Sequence, residues 1–419
     1  MRAVLSQPAF RNLWAGQSLS SIGDAMVIVV LGLYVTESTG SASQVGLVLA
    51  AYAAPLVVFL LVGGVVADRL PRRAVMVATD LVRAVLHGGL ALLIAFDAVA
   101  IWHMVVIGIL FGAAEAFFRP AYTGLLPQTV HESDIQQAQA VTSASRETAI
   151  IAGPALGTAL LFGVGASAAF ALDALTFVAS ALFLLRVRPR SRGVPAERST
   201  VVRELREGWE AVRARAWVWA TILAFSVTLL AGLAPFFVLG ASIAEEHYGD
   251  PAIYGWMQGF WGAGTLTGAL LGVRWRPRRP MRTAMLWALP WPACFAAFAL
   301  GVPAPALFGV TLVSGVGIGL FGVWWETALA ERIPPHLLSR VSAYDWMGSL
   351  ALLPLGYVLA GAIGDWIGAP ETLGIGAAIS LVALALGLLP RATRTLPRFV
   401  PAAEPVLHEP PQVAVLVPD

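Results

Sequence analysis

Long apolar stretches separated by short polar ones run through most of the chain. Runs near or above the roughly 20 residues that a helix needs to cross a bilayer fall at about 12–36, 44–67, 74–96, 101–125, 138–163 and 166–187. A polar segment follows, and further runs fall at about 216–243, 252–273, 282–301, 304–328, 340–363 and 370–390. The pattern predicts an all-α membrane protein with twelve transmembrane helices in two pseudo-symmetric six-helix bundles. The bundles occupy residues 1–187 and 216–390, joined by a linker at 188–215 and followed by a tail at 391–419.

The charges between the runs follow the same alternation. The connections expected on the inner side hold Arg69, Arg72 and Arg73; then Arg186 to Arg215; then Arg274, Arg276, Arg278, Arg279 and Arg282; then Arg332 and Arg340; and the tail adds Arg391, Arg394 and Arg398. The intervening connections carry Glu37, Asp97, Glu245, Glu246, Asp250, Asp365 and Glu371 and no arginine. Cytoplasmic loops are enriched in basic residues, so both termini are expected inside. An odd number of spans would break the alternation. Within the linker, Pro189 to Ser199 reads as flexible chain. From Thr200 to Arg215, Val201, Leu205, Trp209 and Val212 recur at helical spacing among arginines. That pattern predicts an amphipathic helix on the cytoplasmic membrane surface, acting as a connector between bundles. The proline-rich tail has no periodicity and is expected to be disordered.

Composition narrows the class further. Of 419 residues, 58% are hydrophobic and only 12% charged, with a mean hydropathy of +0.76; a soluble chain would carry roughly a quarter charged residues. All 27 basic residues are arginine, a bias better matched to a GC-rich genome than to any chemistry. Cys294 is the single cysteine, so neither a disulfide nor a thiolate metal cluster forms within one chain. Arg2 and Arg11 precede a first apolar run that is long and lacks a small-residue cleavage site, so it reads as a retained span.

The most informative polar stretch is Gly63 to Arg73, GGVVADRLPRR, between the second and third runs. Asp68, Arg69, Arg72 and Arg73 are too charged for lipid and belong at the surface, in a tight turn. Small residues before the turn let two helices approach closely, and Asp68 is placed to accept from helix N-terminal amides or an arginine. The pattern Gly64-x-x-x-Asp68-Arg69-x-x-Arg72-Arg73 resembles the loop between spans two and three of the major facilitator superfamily. Pro71 stands where that family has glycine, which stiffens the turn. The resemblance implies two six-span halves related by duplication, with a substrate site near the midplane between them. It also implies that this loop gates transport and latches the halves.

Weak internal repetition agrees. Leu126-Pro127 precedes a run with Val141, Pro154 and Gly157, and Ile333-Pro334 precedes one with Val341, Pro354 and Gly356. Gly153-Pro154-Ala155-Leu156-Gly157 interrupts the fifth run, where proline removes a backbone donor and the glycines allow close packing. It resembles the Gly-Pro motif in the fifth span of major facilitator antiporters, which export. Phe117-Phe118-Arg119-Pro120-Ala121, Phe10-Arg11-Asn12-Leu13-Trp14 and Ile22-Gly23-Asp24 resemble the macrolide and enterobactin exporter branch. The likeness covers about residues 8–390. The arginine followed by Gln-Gly of the exporter pattern in span four is absent.

Ionisable residues inside spans are costly and are functional candidates by default. They are Asp24, Asp80, Arg83, His87, Glu115, Arg119, Arg146, Glu147, Asp173, Glu326 and Asp345. Gln17, Ser20, Ser21 and Asp24 share one helix face, so that face lines a cavity or another helix. Asp24 is the leading candidate for proton coupling, with a structural hydrogen bond to a neighbouring helix as the alternative. Glu115 and Arg119 read either as a local i,i+4 pair or as part of the transport site. Asp173 and Glu326 have no cation nearby in sequence and are candidates for cavity polarity. Asp80 with Arg83, and Arg146 with Glu147, read as structural, and His87 as a hydrogen-bonded span residue.

Gly264, Gly268 and Gly272, and Gly315 with Gly319, form small-residue ladders suited to close helix packing. Trp256, Phe260, Trp261, Trp324 and Trp325 either line a greasy pocket or form an interfacial belt. Enzyme classes fall away: without lysine there is no phosphate-binding Gly-x-x-x-x-Gly-Lys loop, and no His-Glu-x-x-His helix occurs. No paired aspartates suit magnesium diphosphate, and the scattered acids do not suggest a channel's polar ring. The expectation is a monomeric, cofactor-free secondary transporter of the bacterial plasma membrane, with no nucleic-acid partner. It would export an amphipathic small molecule (a drug, a siderophore or another secondary metabolite) in exchange for protons. An importer, or a transporter-like scaffold or sensor without flux, are the rival readings.

Overall fold

The computed structural model describes residues 2–131, 134–190 and 201–398. Among them there is no β-strand. The first part of the chain forms α1 (Pro8–Thr39), α2 (Ala42–Arg69), α3 (Arg72–Ala95), α4 (Ile101–Leu125), α5 (Ile135–Gly163) and α6 (Ala166–Leu185). Helix α7 (Val201–Arg213) lies in the linker. Then come α8 (Ala216–Thr228), a π-turn at Leu229–Leu233, α9 (Ala234–Tyr248), α10 (Ala252–Arg274), α11 (Pro280–Ala288) and α12 (Pro290–Ala299). The last long elements are α13 (Ala304–Arg332), α14 (Pro335–Ala351), α15 (Leu353–Ile367) and α16 (Ala369–Leu386).

Nine helical segments among the described residues are long and apolar enough to cross a membrane. The three other expected spans are helical but fall short for reasons visible in their sequences. Helix α5 opens on a glutamine-rich turn and carries Arg146 and Glu147. Helix α10 is diluted by glycine, threonine and tryptophan. The ninth expected span, read from sequence as one rod, is two short helices divided at Pro290, and the eleventh is divided in the same way ahead of Pro354. Proline lacks the N–H needed to continue the ladder.

Local chemistry sets the helix ends. Gly40 closes α1 in the left-handed region, φ 63°, where a side chain would be strained. Ser41 then caps α2, its side chain accepting from the Gln44 N–H at 3.3 Å. The expected linker helix is present as α7, although 191–200, most of the expected flexible part, lies outside the described residues. Helix α7 buries Ala211 and Val212 and packs against α14. Trp209 lies beside Tyr344, ring centroids 5.8 Å apart, and Arg340 pairs with Glu207. A neighbouring helix, rather than lipid alone, therefore takes up part of its apolar face. The tail departs from expectation at its start: Arg391–Thr395 is helical with Thr393 buried, and the Pro397 carbonyl accepts from Arg332 at 2.6 Å. Residues 399–419 lie outside the described residues.

Helices α1 to α6 pack chiefly on one another, through α2 with α4, α3 with α6, and α1 with α5 and α6. Helices α8 to α16 do likewise, through α10 with α13, α12 with α16, and α9 with α15. The two groups meet where α2 packs on α15 and α5 on α10. The glycine ladders of α10 and α13 face each other. A methyl group added at Gly268 would run into the Val316 carbonyl, and one at Gly315 into the Trp261 carbonyl. Gly268→Val is therefore expected to cost about 1–3 kcal/mol by overpacking, read as a lowered melting temperature in detergent. Gly322→Ala, a glycine with open space beside it, should leave the melting temperature within about a degree of the parent, since surface changes stay near ±0.5 kcal/mol.

Candidate functional site

The polar residues of α1, α3, α4 and α6 converge inside the first helix group. Asp80, Arg83 and His87 lie on one face of α3 at i, i+3, i+7 spacing, and all three are buried. Arg83, only 1% exposed, is the hub. Its Nη2 donates to Asp80 Oδ1 at 2.5 Å and its Nη1 to Glu115 Oε2 at 2.7 Å, while Asp24 Oδ2 lies 3.9 Å from Nη1. The guanidinium also sits over the Phe118 and Phe177 rings, 4.2 and 4.5 Å from their centroids. Asp80 Oδ2 accepts from Ser180 Oγ at 2.7 Å, and Ser180 accepts from Gln17 Nε2 at 2.9 Å. Glu115 keeps its local partner too, since Arg119 Nε donates to Oε1 at 2.8 Å.

A second pair lies beside this hub. His87 Nδ1 is 2.5 Å from Asp173 Oδ2, and His87 Nε2 is 3.3 Å from Tyr52 Oη. The imidazole stacks on Phe111 at 4.3 Å. Asp173 is fully buried and so does not line an open cavity, the place the sequence suggested for it. A side chain at Gly23 would strike Asp173 and Thr176. The pair is thus packed against α1 one residue from Asp24. Asp24 itself is the most open acid of the hub, 37% exposed, and holds Arg83 only at long range. The Gly-Pro motif backs the same point from the other side: Gly153 packs on Ala25, and a methyl at Gly157 would come within 2.7 Å of the Met26 carbonyl.

The remaining candidates lie elsewhere. Glu326, on α13, is exposed and within electrostatic reach of Arg146 on α5. Arg146 also sits 5.8 Å from the Trp346 ring of α14. Trp325 Nε1 donates to Asp345 Oδ2 at 2.8 Å. In the loop Asp68 to Arg73, Arg72 Nη1 donates to the Gly124 carbonyl at 2.7 Å and Arg73 Nη1 to the Val187 carbonyl at 2.8 Å. Arg72 thus sits on a carbonyl in the last turn of α4, where the helix dipole favours a cation, and Arg73 holds the chain just beyond the end of α6. Arg69 is exposed, while Gly64 and the Asp68 side chain lie outside the described residues.

Two features of the site escaped sequence reasoning. Asp80 and Arg83 read as a local pair, whereas Arg83 joins three helices. His87 read as solitary, whereas it meets Asp173 from a helix 86 positions later. The available signal was the common face of residues 80, 83 and 87; the partners on other helices leave no trace in local spacing.

A chain of bilayer-crossing helices that embeds charge within one helix group, with glycine-lined seams between groups, has the build of a multi-pass membrane transporter. Residues 13–344 match the Major Facilitator Superfamily, and the chain belongs to that family. It is similar to macrolide efflux protein A of Streptococcus pyogenes, 26% identical over 376 residues that cover 86% of this chain and 90% of that protein. It is also similar to the multidrug efflux pump Tap of Mycolicibacterium fortuitum, 27% identical over 384 residues, 88% and 91% of the two chains. In fold it resembles an inward-facing bacterial homolog of the human lysosomal transporter Spinster, with a TM-score of 0.72 at 16% identity over 94% of this chain and 98% of the other. The nucleoside transporter NupG gives a TM-score of 0.66 at 14% identity, over 90% and 98%.

Proposed function

We propose that the chain is a proton-coupled exporter of amphipathic small molecules. Twelve spans in two six-helix halves (residues 1–187 and 216–390) alternate access to a site between the halves, with both termini cytoplasmic. The observation that carries the proton is the charge count of the buried cluster. Among the described residues, Asp24, Asp80, Glu115 and Asp173 face only Arg83, Arg119 and His87. Even with His87 protonated, one carboxylate is in excess. An unpaired buried charge is expensive, so the cluster favours keeping a proton. Asp24, the most open acid and the one least held by Arg83, is the acid that exchanges it. The relatives named as macrolide and multidrug efflux proteins support export as the direction and an amphipathic molecule as cargo.

In the cycle, a protonated Asp24 leaves Arg83 to Asp80 and Glu115. Loss of that proton to the cytoplasmic side restores a carboxylate that competes for Nη1, 3.9 Å away, and readies the cleft for substrate. The loop Asp68 to Arg73 latches the halves on the inner side when the outer side opens. The test is efflux from proteoliposomes under an imposed pH gradient, with macrolides and cationic dyes as probes. Acceleration of efflux by an inward proton gradient supports the reading; equal rates with and without the gradient overturn it.

In this reading the acid-bearing helix ends face out, and a contact between α2 and α15 closes that side. Asp365, at the end of α15, accepts the Ala42 and Ser43 N–H groups at 3.0 Å each and so caps α2 across the seam between halves. Nearby, Gly361 lies against the Ala42 carbonyl and Gly46 against the Tyr357 carbonyl. Loss of an exposed N-cap carboxylate costs about 0.5–2 kcal/mol, so Asp365→Ala is expected to raise labelling of an outward-facing cysteine in the cleft by about twofold to thirtyfold. An unchanged labelling rate would remove Asp365 from the closure.

A further inference from the structure

We propose that the seam between α3 and α6 binds an anionic phospholipid, with its phosphodiester among Arg73, Arg186 and Arg188 and an acyl chain lying along the seam. Two separate features of the seam point to the same ligand. At the arginine-rich end lies an open pocket of about 580 Å³, lined by Pro8, Ala9, Arg73, Leu185, Arg186 and Arg188. Three arginines thus line one pocket, and no carboxylate lines it. Arg73 is fixed in place by its bond to the Val187 carbonyl at 2.8 Å. Arg188 is exposed with no protein partner among the described residues, so its donors are open to a ligand. Guanidinium forks suit phosphate oxygens.

Further along the same two helices is a second, apolar groove of about 320 Å³, with Gly88, Ala91 and Leu92 on one wall and Ala174, Leu175 and Val178 on the other. At about 1.5 Å per residue, Val178 and Ala174 lie about 12 and 18 Å along α6 from Arg186. One leaflet contributes about 15 Å of hydrocarbon, so an acyl chain whose headgroup sits among the arginines reaches the groove only at Val178, and the Gly88 to Leu92 wall lies beyond its end. Leu182 and Leu185, each 54% exposed, line the way between. A basic pocket at the end of a helix bundle, with exposed leucines and a separate apolar groove along the same seam, suits both parts of an anionic lipid, whereas a free anion would use only the first. The proposal rests on the arginine-rich ends being cytoplasmic, as in the reading above, but not on export or on proton coupling.

The experiment is retention of phosphatidylglycerol by the purified full chain, measured by native mass spectrometry after exchange from mixed phosphatidylglycerol and phosphatidylcholine micelles. Arg186→Gln with Arg188→Gln is expected to lower phosphatidylglycerol retention about 30-fold while leaving phosphatidylcholine unchanged. Arg186→Lys with Arg188→Lys should recover most of the loss, which separates charge from misfolding. Val178→Trp, which fills the near part of the groove, should weaken retention of the long-chain lipid but not of a dihexanoyl form. Equal retention in parent and glutamine variants overturns the proposal. So does displacement of the lipid by millimolar inorganic phosphate, because the site would then take a free anion. Since transport is not the readout, failure here leaves the export reading standing.

Discussion

Arg83→Ala is expected to destabilise the protein by about 3–5 kcal/mol, enough to lower expression and the melting temperature in detergent sharply. Removing one member of a buried ion network costs this much because its partners stay buried without compensation. Here the partners are Asp80 at 2.5 Å, Glu115 at 2.7 Å and, at the edge, Asp24. The Phe118 and Phe177 rings add to the loss, since both lie against the guanidinium. Lysine is a poor substitute: one ammonium on a flexible stem cannot bridge two carboxylates in a fixed plane while stacking on rings. Arg83→Lys should therefore recover only part of the stability. Arg83→Met combined with Asp80→Asn should recover more than Arg83→Met alone, because the fully buried Asp80 is then no longer a charge without a partner, while Glu115 keeps Arg119. A melting temperature for Arg83→Ala within a degree or two of the parent would mean that the acids are hydrated or protonated, and the hub would lose its structural role.

The sequence made the rods legible and left their side-to-side relations hidden. Apolar run length and arginine alternation report on the lipid around each helix. That environment acts on every residue of a span, so it leaves a dense signal. The glycine ladders of α10 and α13 were legible for a related reason: a close helix crossing requires a small residue each turn, and the two ladders do meet. The ion hub is different. Arg83 meets Glu115 from α4 and Asp24 from α1, and His87 meets Asp173 from α6. Such partners are set by which helix faces which, and a single chain's spacing does not encode that. The same limit explains Asp365. At the end of a span it looks like an ordinary outside acid, yet it caps a helix of the other half. The breaks at Pro290 and ahead of Pro354 were legible as prolines but not as helix ends. Proline inside a helix is also tolerated, as Pro55, Pro120 and Pro154 are here, and the surrounding packing decides between kink and break.

The largest effect on transport is expected from Asp24→Asn. Asparagine has nearly the shape of a protonated aspartate and keeps hydrogen-bonding capacity, so packing beside Gly23 and Gly153 should be undisturbed. It cannot release a proton. If Asp24 is the exchanging acid, efflux driven by a pH gradient should fall at least about 100-fold, to the uncoupled background, while substrate counterflow without a gradient persists. That split follows from linkage: the proton shifts the conformational equilibrium only through its differential affinity for the two states, and a group fixed as neutral has none. The residual counterflow should also lose its dependence on pH. Glu115→Gln provides the contrast. Glu115 is tied to both Arg83 and Arg119, so its loss frees a buried arginine donor and should lower stability together with transport. If Asp24→Asn retains gradient-driven efflux, the exchanging proton must move to another member of the cluster. The buried His87 and Asp173 pair is then the next site to neutralise, because it holds the other carboxylate outside the Arg83 hub, 2.5 Å from an imidazole nitrogen that can carry a proton.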